Sequence, residues 1–260
     1  MNTLKRTVFI LTLLTTLLPL TSQTFELSPK KDGIILGTSI SLCATNLFLD
    51  KVLDIDDEKI KESFDKDDIN FIDKKFMQKY SKSLDFTGDL FVAASVLTPA
   101  VLLTTEKDQW FTIATMYAET ILVAHGIKEF GKLIVQRPRP YMYFEDYPTE
   151  DVKDGDWNKS FPSGHTTFAF AGATFASYTF SNYYPESKLK LPIIVASYSL
   201  ATTTAILRMA SGNHYLTDVL AGAAIGTFSG FIVPWLHKKN NSDKIQITLG
   251  PAGVNFNIKL

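Results

Sequence analysis

The sequence predicts an all-α fold, a six-helix bundle embedded in a membrane, and three observations support this prediction. The 260-residue chain is 45% hydrophobic and contains six apolar stretches, several of them near the ~20 residues that a spanning helix needs. These stretches are rich in Ala, Gly, Ser and Thr, which permits close packing of helices in lipid. A single cysteine, Cys43, excludes an internal disulfide framework. The stretches are Gly33–Leu49, Phe86–Thr105, Trp110–Val135, Gly164–Tyr183, Pro192–Leu207 and Tyr215–Leu236.

Charged side chains inside these stretches leave an alternative open. Asp89, Glu119, His125 and Asp218 are costly when they face lipid, so a water-soluble bundle with buried helices also fits. The formal net charge of −1, from 26 basic and 27 acidic residues, disfavours a nucleic acid as partner.

The N-terminus is typical of an export signal. Lys5 and Arg6 precede an uncharged run that ends near Leu20, and small polar residues follow. Residues 1–23 are therefore expected to form a signal peptide or an N-terminal anchor, and residues 24–240 a helical domain. In the tail, 241–260, apolar residues alternate on both sides of Gly250 and Gly253, which predicts a β-hairpin. Residues 51–85 show helical spacing and predict an amphipathic surface helix.

Three polar segments stand at the ends of the predicted helices. The first reads Lys-Leu-Ile-Val-Gln-Arg-Pro-Arg-Pro over 132–140, and the second is Pro-Ser-Gly-His over 162–165. The third runs from Arg208 through His214 to Asp218. Each segment alone is weak, because charges at helix ends are usually solvated and Pro-Ser-Gly is a common helix start. Their combination is more specific.

Together these segments supply the groups that a phosphoryl site needs. Fork-shaped arginine donors neutralise phosphate oxygens, and the N–H groups of Ser163 and Gly164 at a helix start favour anions. The cations are Lys132, Arg139 and Arg208. His214 and Asp218 are four residues apart, so on a helix they share a face, where the carboxylate can fix the imidazole tautomer. His165 remains as a proton donor.

The order and spacing of these motifs resemble those of the type 2 phosphatidic acid phosphatase (PAP2) superfamily, over roughly residues 86–236. The resemblance implies a helical bundle and metal-independent hydrolysis of phosphate esters or pyrophosphates, with no cofactor. One departure is Leu207, which stands where the family usually has serine.

Carried over residue by residue, the resemblance implies a two-step reaction. His214 attacks phosphorus and forms a phosphohistidine, and Asp218 orients it. His165 protonates the leaving oxygen and then assists water. The oxygens are held by Lys132, Arg139, Ser163, Gly164 and Arg208.

The expected substrate is a phospholipid or polyprenyl phosphate at a membrane. A soluble periplasmic acid phosphatase and a vanadate-type haloperoxidase are the alternatives. An outward-facing site at the cell membrane is favoured, because Lys188, Lys190, Lys238 and Lys239 would then lie inside. That arrangement requires that 33–49 does not cross, or that it replaces the signal segment as the first span.

Overall fold

The computed structural model describes residues 24–52, 64–149, 152 and 155–239, with the backbone of 245–250 and 253–258. The predicted signal segment, 1–23, lies outside the described residues. The α-helices of the described part are α1 Pro29–Val52, α2 Phe71–Phe76, α3 Lys82–Val96, α4 Trp110–Val135, α5 Gly164–Tyr183, α6 Lys190–Ala210 and α7 Leu216–His237. Helix α3 continues as a 3₁₀ helix over Thr98–Thr104. Six of these helices are long, which confirms the predicted bundle.

Helix α5 occupies the centre of the bundle, with α3, α4, α6 and α7 packed around it. Its small residues allow this close approach, and Ala169, Ala171 and Ala173 are fully buried. Helix α1 packs on α4, and α3 packs on α6. The successive long helices run up and down, so each polar segment of the sequence lies at one and the same end of the bundle, here called the motif end.

The face between α5 and α7 contains glycines at every fourth position of α7. A Cβ atom on Gly222 would lie 2.6 Å from the carbonyl oxygen of Ser163, and one on Gly230 would lie 2.6 Å from that of Ala171. Between them, Gly226 is closer still, with its Cβ 2.2 Å from the carbonyl oxygen of Thr167. Glycines at this spacing let two helix backbones approach closely.

Four helices are long and apolar enough to cross a bilayer: Pro29–Val52, Lys82–Thr104, Lys190–Ala210 and Leu216–His237. Their outer faces carry large exposed apolar side chains, such as Leu97, Ile206 and Leu220. In a bilayer these apolar side chains would contact lipid, whereas in water they would form exposed apolar patches. The chain is therefore a membrane protein, and the water-soluble alternative is not supported.

The helix predicted over 51–85 is largely wrong. Among its described residues, 51–52 and 64–85, the α-helical parts are the end of α1, the short helix Phe71–Phe76 and the start of α3. Asn70 caps the short helix by accepting a hydrogen bond from the N–H of Asp73 at 3.0 Å. Asp73 itself is fully buried, because it turns inward to contact the motif end. In the tail, the backbone of β1 Ile245–Gly250 pairs antiparallel with that of β2 Gly253–Ile258.

Candidate active site

Helix α4 ends where the first motif begins, and the sequence explains why. Gln136 adopts a left-handed conformation with φ 44°, which closes the helix. Pro138 and Pro140 follow, and proline cannot continue a helix. The chain therefore leaves α4 in an extended form. This places Arg137 and Arg139 at the motif end, beyond Lys132 on the last turn of α4.

His214 lies before α7 and not on it, which corrects the expectation that His214 and Asp218 share a helix face. The helix begins at Leu216, with Tyr215 as its N-cap. The preceding turn needs Gly212, whose φ is +78° and whose Cβ would lie 2.6 Å from the carbonyl oxygen of Gln78. His214 is consequently held in a tight loop and is only 2% exposed.

A backbone carbonyl orients the His214 imidazole. Its Nδ1 lies 2.7 Å from the carbonyl oxygen of Ser160, whereas Oδ2 of Asp218 is 3.7 Å away. The Ser160 hydroxyl donates to that carboxylate at 2.5 Å, and the Tyr215 N–H donates to it at 2.9 Å. Asp218 therefore fixes the loop around His214. Its own contact with the imidazole is longer than that of the Ser160 carbonyl. Ser160 was not singled out by the sequence.

Two arginines lie near His214, and Asn213 and Asp85 connect them. Arg139 donates to the Asn213 side-chain oxygen at 3.2 Å, and the Asn213 amide donates to Asp85 at 2.9 Å. Asp85 also accepts from Arg208 at 2.5 Å. Arg139 forms a further ion pair with Asp156. The acidic partners hold both guanidinium groups in fixed positions next to the nucleophile candidate.

Arg208 retains unused donor capacity. The residue is 4% exposed, and its Nε has no hydrogen-bond partner in the described part of the chain. A buried guanidinium with an unsatisfied N–H is costly unless a ligand accepts from it. This donor suits a phosphate oxygen.

The electrostatic field at His214 is positive. Burial lowers the pKa of His214 well below its usual range, and the charges of Arg139, Arg208 and Lys132 lower that pKa further. A neutral imidazole keeps a lone pair, and surrounding cations attract an anion, so this arrangement suits nucleophilic attack on an anionic group. The three predicted cations thus lie near enough to act on the same ring.

Ser163 requires a correction. Its N–H donates to the carbonyl oxygen of Asp218 at 3.0 Å, so this group is already engaged and does not reach a ligand. Its hydroxyl caps α5 by accepting from the Thr166 N–H at 3.4 Å. The first-turn N–H of Gly164 has no preceding helical carbonyl, so it remains suited to an anion. Ser163 joins α5 to α7 and positions that first turn.

His165 is the more exposed of the two histidines and has a carboxylate partner. Its Nε2 lies 2.9 Å from Oδ1 of Asp89, which projects from α3. The same oxygen is 3.4 Å from Arg208. The sequence indicated Asp89 only as a costly charge in an apolar stretch. In the structure it connects the proton-donor candidate to the cationic pocket.

Arg137 serves the structure of the site. It donates to Asp218 at 2.7 Å and to Asp73 at 2.8 Å, and its guanidinium stacks 3.8 Å from the centre of the Tyr215 ring. Burial alone would raise the pKa of Asp73, but hydrogen bonds from Thr217, Arg137 and Asn70 lower it overall. These contacts fix the start of α7.

A cavity of about 380 Å³ opens at the motif end beside His165. Its polar side carries Lys128, Lys132 and Gly164, while Val92 and Phe168 contribute to its apolar wall. Lys128 also pairs with Glu129, and Lys132 lies 3.8 Å from that carboxylate. One opening thus presents cations and an apolar surface side by side.

The fold and the site together define a class of protein. It is a membrane helix bundle that encloses a buried histidine and several cations at one end. The family model of the PAP2 superfamily matches residues 113–242, which is half of the chain. The chain belongs to the PAP2 superfamily.

Individual relatives are similar over shorter regions. The chain is 33% identical over 129 residues to lipid phosphate phosphatase 1 of Arabidopsis thaliana, covering 41% of this chain and 39% of that protein. It is 35% identical over 105 residues to lipid A 1-phosphatase of Porphyromonas gingivalis, covering 40% and 21%. Decaprenylphosphoryl-5-phosphoribose phosphatase of Mycobacterium tuberculosis is 28% identical over 165 residues, covering 62% and 81%. The chain thus spans less than half the length of the first two relatives.

Proposed function

We propose that this protein is a phosphatase that hydrolyses a lipid phosphate or pyrophosphate through a phosphohistidine on His214. One observation carries the proposal. The Nδ1 proton of His214 is directed to the Ser160 carbonyl, so the lone pair of Nε2 is available in a pocket with three cations. Membership of the PAP2 superfamily and the phosphatase names of the relatives support the same chemistry.

The first step breaks the bond between phosphorus and the leaving oxygen. Nε2 of His214 supplies the electron pair that forms the P–N bond, and His165 gives a proton to the departing lipid oxygen. Arg139, Arg208 and Lys132 neutralise the remaining phosphate oxygens, which is where charge develops in the transition state. The Nε donor of Arg208, which has no hydrogen-bond partner among the described residues, can donate to one of these oxygens.

The second step releases phosphate. Water loses a proton to His165 and attacks phosphorus, the P–N bond breaks, and its electron pair returns to Nε2 of His214. Asp89 acts as a positioning residue for His165 in both steps, because its carboxylate lies 2.9 Å from Nε2 of the imidazole. Burial and the charge of Arg208 lower the pKa of His165, and a negative charge at Asp89 opposes that lowering. Asp218 fixes the His214 loop through Ser160 and Tyr215.

The cavity beside His165 favours a lipid over a soluble ester. Its apolar wall, from Val92 and Phe168, continues the surface of the bundle that lipid covers, and its cations suit the headgroup. The names of the relatives, which include a lipid A phosphatase and a decaprenyl-linked phosphatase, agree with a phospholipid or polyprenyl phosphate.

The test compares two phosphomonoesters with the same glycerol phosphate, one with acyl chains and one without. Purified protein in detergent with EDTA is given dioleoyl phosphatidic acid or glycerol 3-phosphate, and released phosphate is measured. We expect release from the lipid, loss of release with His214→Ala, and normal release with His125→Gln. Faster turnover of the soluble ester would favour an acid phosphatase, and halide oxidation with vanadate would favour a haloperoxidase.

We further propose that the motif end faces the periplasm. Helix α1 joins opposite ends of the bundle, because Asp32 contacts His237 while Asp50 pairs with Lys159 at 3.1 Å. For the motif end to face outward, α1 must be the first helix that crosses the membrane. Lys188 and Lys238 then lie on the cytoplasmic side. Cysteine-free protein carrying Asp146→Cys or Glu186→Cys is labelled in cells with an impermeant maleimide. Labelling of the first variant alone supports the proposal, and labelling of the second alone contradicts it.

A further inference from the structure

A second cluster of charged residues lies at the end of the bundle opposite to the motif end. It consists of Asp32 at the start of α1, Glu119 within α4 and His237 at the end of α7. Helix α7 has 22 residues, so this cluster is about 33 Å along the helix from the start of α7. The phosphatase reaction uses none of its members.

The cluster contains negative charge that no lysine or arginine among the described residues neutralises. Glu119 is fully buried, and neither of its carboxylate oxygens accepts a hydrogen bond in the described part of the chain. Its ion-pair contact there is Nε2 of His237, at 3.3 Å, and that nitrogen is also 2.8 Å from Asp32. No lysine or arginine among the described residues pairs with either carboxylate. Two carboxylates around one imidazole leave an uncompensated buried charge.

The imidazole is oriented as in a metal ligand. Nδ1 of His237 lies 2.9 Å from the carbonyl oxygen of Val233, which accepts its proton. Nε2 then points its lone pair at the two carboxylates. A backbone carbonyl on one ring nitrogen and a metal on the other is the usual arrangement of a ligating histidine.

We propose that Asp32, Glu119 and His237 bind a divalent transition-metal cation of the Zn²⁺ or Mn²⁺ type. One oxygen from each carboxylate and Nε2 of His237 lie within 4.8 Å of one another. Metal bonds of about 2.1 Å in a tetrahedral site separate ligand atoms by about 3.4 Å. The separations of 2.8 and 3.3 Å on either side of Nε2 are both somewhat shorter than that value, so a bound cation requires only a small outward shift of the Asp32 carboxylate. Mixed carboxylate and imidazole ligands suit these metals.

The role of this cation is structural. It connects the start of α1, the middle of α4 and the end of α7, and it lies far from the reacting phosphate. A cation that binds the folded state stabilises that state. The proposal is independent of the proposed function, because chelation is expected to lower thermal stability while lipid phosphate release by folded protein continues.

The test measures bound metal and not activity. Full-length protein in detergent is stripped with chelator and dialysed against Mn²⁺, and bound Mn²⁺ is counted by elemental analysis and electron paramagnetic resonance. We expect one Mn²⁺ per chain for the wild type and for the control Glu106→Gln, whose exposed carboxylate is at the same end. Loss of outer-shell partners typically weakens metal binding ~10–100-fold, so Glu119→Gln should weaken it by more than ~100-fold.

Thermal unfolding provides a second measurement for the same proteins. Mn²⁺ should raise the midpoint of the wild type and leave Glu119→Gln unchanged. In chelator, Glu119→Gln should be at least as stable as the wild type, because it removes the uncompensated charge. Asp32→Asn, which changes a partly exposed residue, is used if Glu119→Gln fails to fold. Equal Mn²⁺ content and equal midpoints in wild type and variant would overturn the proposal in favour of a protonated carboxyl cluster.

Discussion

The carbonyl oxygen of Ser160 lies 2.7 Å from Nδ1 of His214. A carbonyl only accepts hydrogen bonds, so Nδ1 carries the proton and Nε2 keeps its lone pair. A carboxylate in the same position could take the proton, but a backbone carbonyl cannot. The tautomer of the proposed nucleophile is therefore set by the main chain, and it does not depend on the protonation state of Asp218.

The covalent step can be trapped. His214→Ala should lower lipid phosphate release by about 10⁴-fold or more, because it removes the atom that forms the P–N bond. Rapid quench with labelled substrate should place label on wild-type protein, stable in base and labile in acid. His165→Ala should slow turnover ~10²–10⁴-fold. Label on a serine would contradict the assignment.

The pH dependence follows from the low pKa of His214. Burial and the neighbouring cations lower this pKa, so the imidazole stays neutral as the pH falls through the ordinary histidine value of about 6.5. We expect His214 to contribute no acid limb in kcat/KM near that pH. The profile is measured with several substrates whose phosphate groups have different pKa values. A limb that moves with the substrate belongs to the substrate, and a limb that stays in place belongs to the enzyme. An acid limb near 6.5 that is common to all substrates would contradict the prediction.

Arg208→Lys should weaken catalysis although it keeps the charge. Lysine lacks the Nε donor and the fork, and a hydrogen bond to a charged group is worth about 1.5–3 kcal/mol. We expect kcat/KM for phosphatidic acid to fall by about tenfold to 100-fold. The control is Lys188→Arg at the opposite end, which should leave the rate unchanged. Equal rates for Arg208→Lys and wild type would show that Arg208 does not contact phosphate.

Asp89→Asn should change the pH profile as well as the rate. The amide cannot stabilise a charged His165, so the alkaline limb of kcat should move to lower pH and kcat should fall. Asp89→Glu should restore the position of the limb. Asp108→Asn, an exposed change on the opposite end, is the matched control. A lower kcat with an unmoved limb would indicate a structural role alone.

The glycine face of α7 predicts a stability effect. Gly230→Ala would place a methyl group 2.6 Å from a carbonyl oxygen of α5, and overpacking of this kind costs typically about 1–3 kcal/mol. Gly37→Ala on α1 meets nothing within 4 Å, so it should be neutral or slightly stabilising. Thermal unfolding in detergent compares the two variants. Equal unfolding midpoints would mean that α5 and α7 accommodate the added methyl group without loss of stability.

The long helices and the charged members of the site could be predicted from the sequence. The length of the apolar stretches predicts the helices. The charged members of the site are predicted by the order of the motif residues Lys132, Arg139, His165, Arg208 and His214. The orienting group of His214 could not be predicted, because it is a main-chain carbonyl 54 residues away. The loop position of His214 depends on the positive φ of Gly212, which residue spacing does not reveal.

The acidic partners were also missed for a physical reason. Asp73 and Asp85 act through long-range contacts, among them those to Arg137 and Arg208, and no periodic pattern in the sequence accompanies such contacts. Asp89 and Glu119 were indicated only as costly charges. Each has a specific partner in the folded chain, at opposite ends of the bundle.

The seam of glycines between α5 and α7 also decides how the reacting groups can move. His165 lies in the first turn of α5 and His214 immediately precedes α7, and the two helix backbones approach closely at Gly222, Gly226 and Gly230. Closely packed backbones have little room to shift, so we expect this seam to resist hinge motion and to keep the separation of the two imidazoles nearly constant during the proposed reaction.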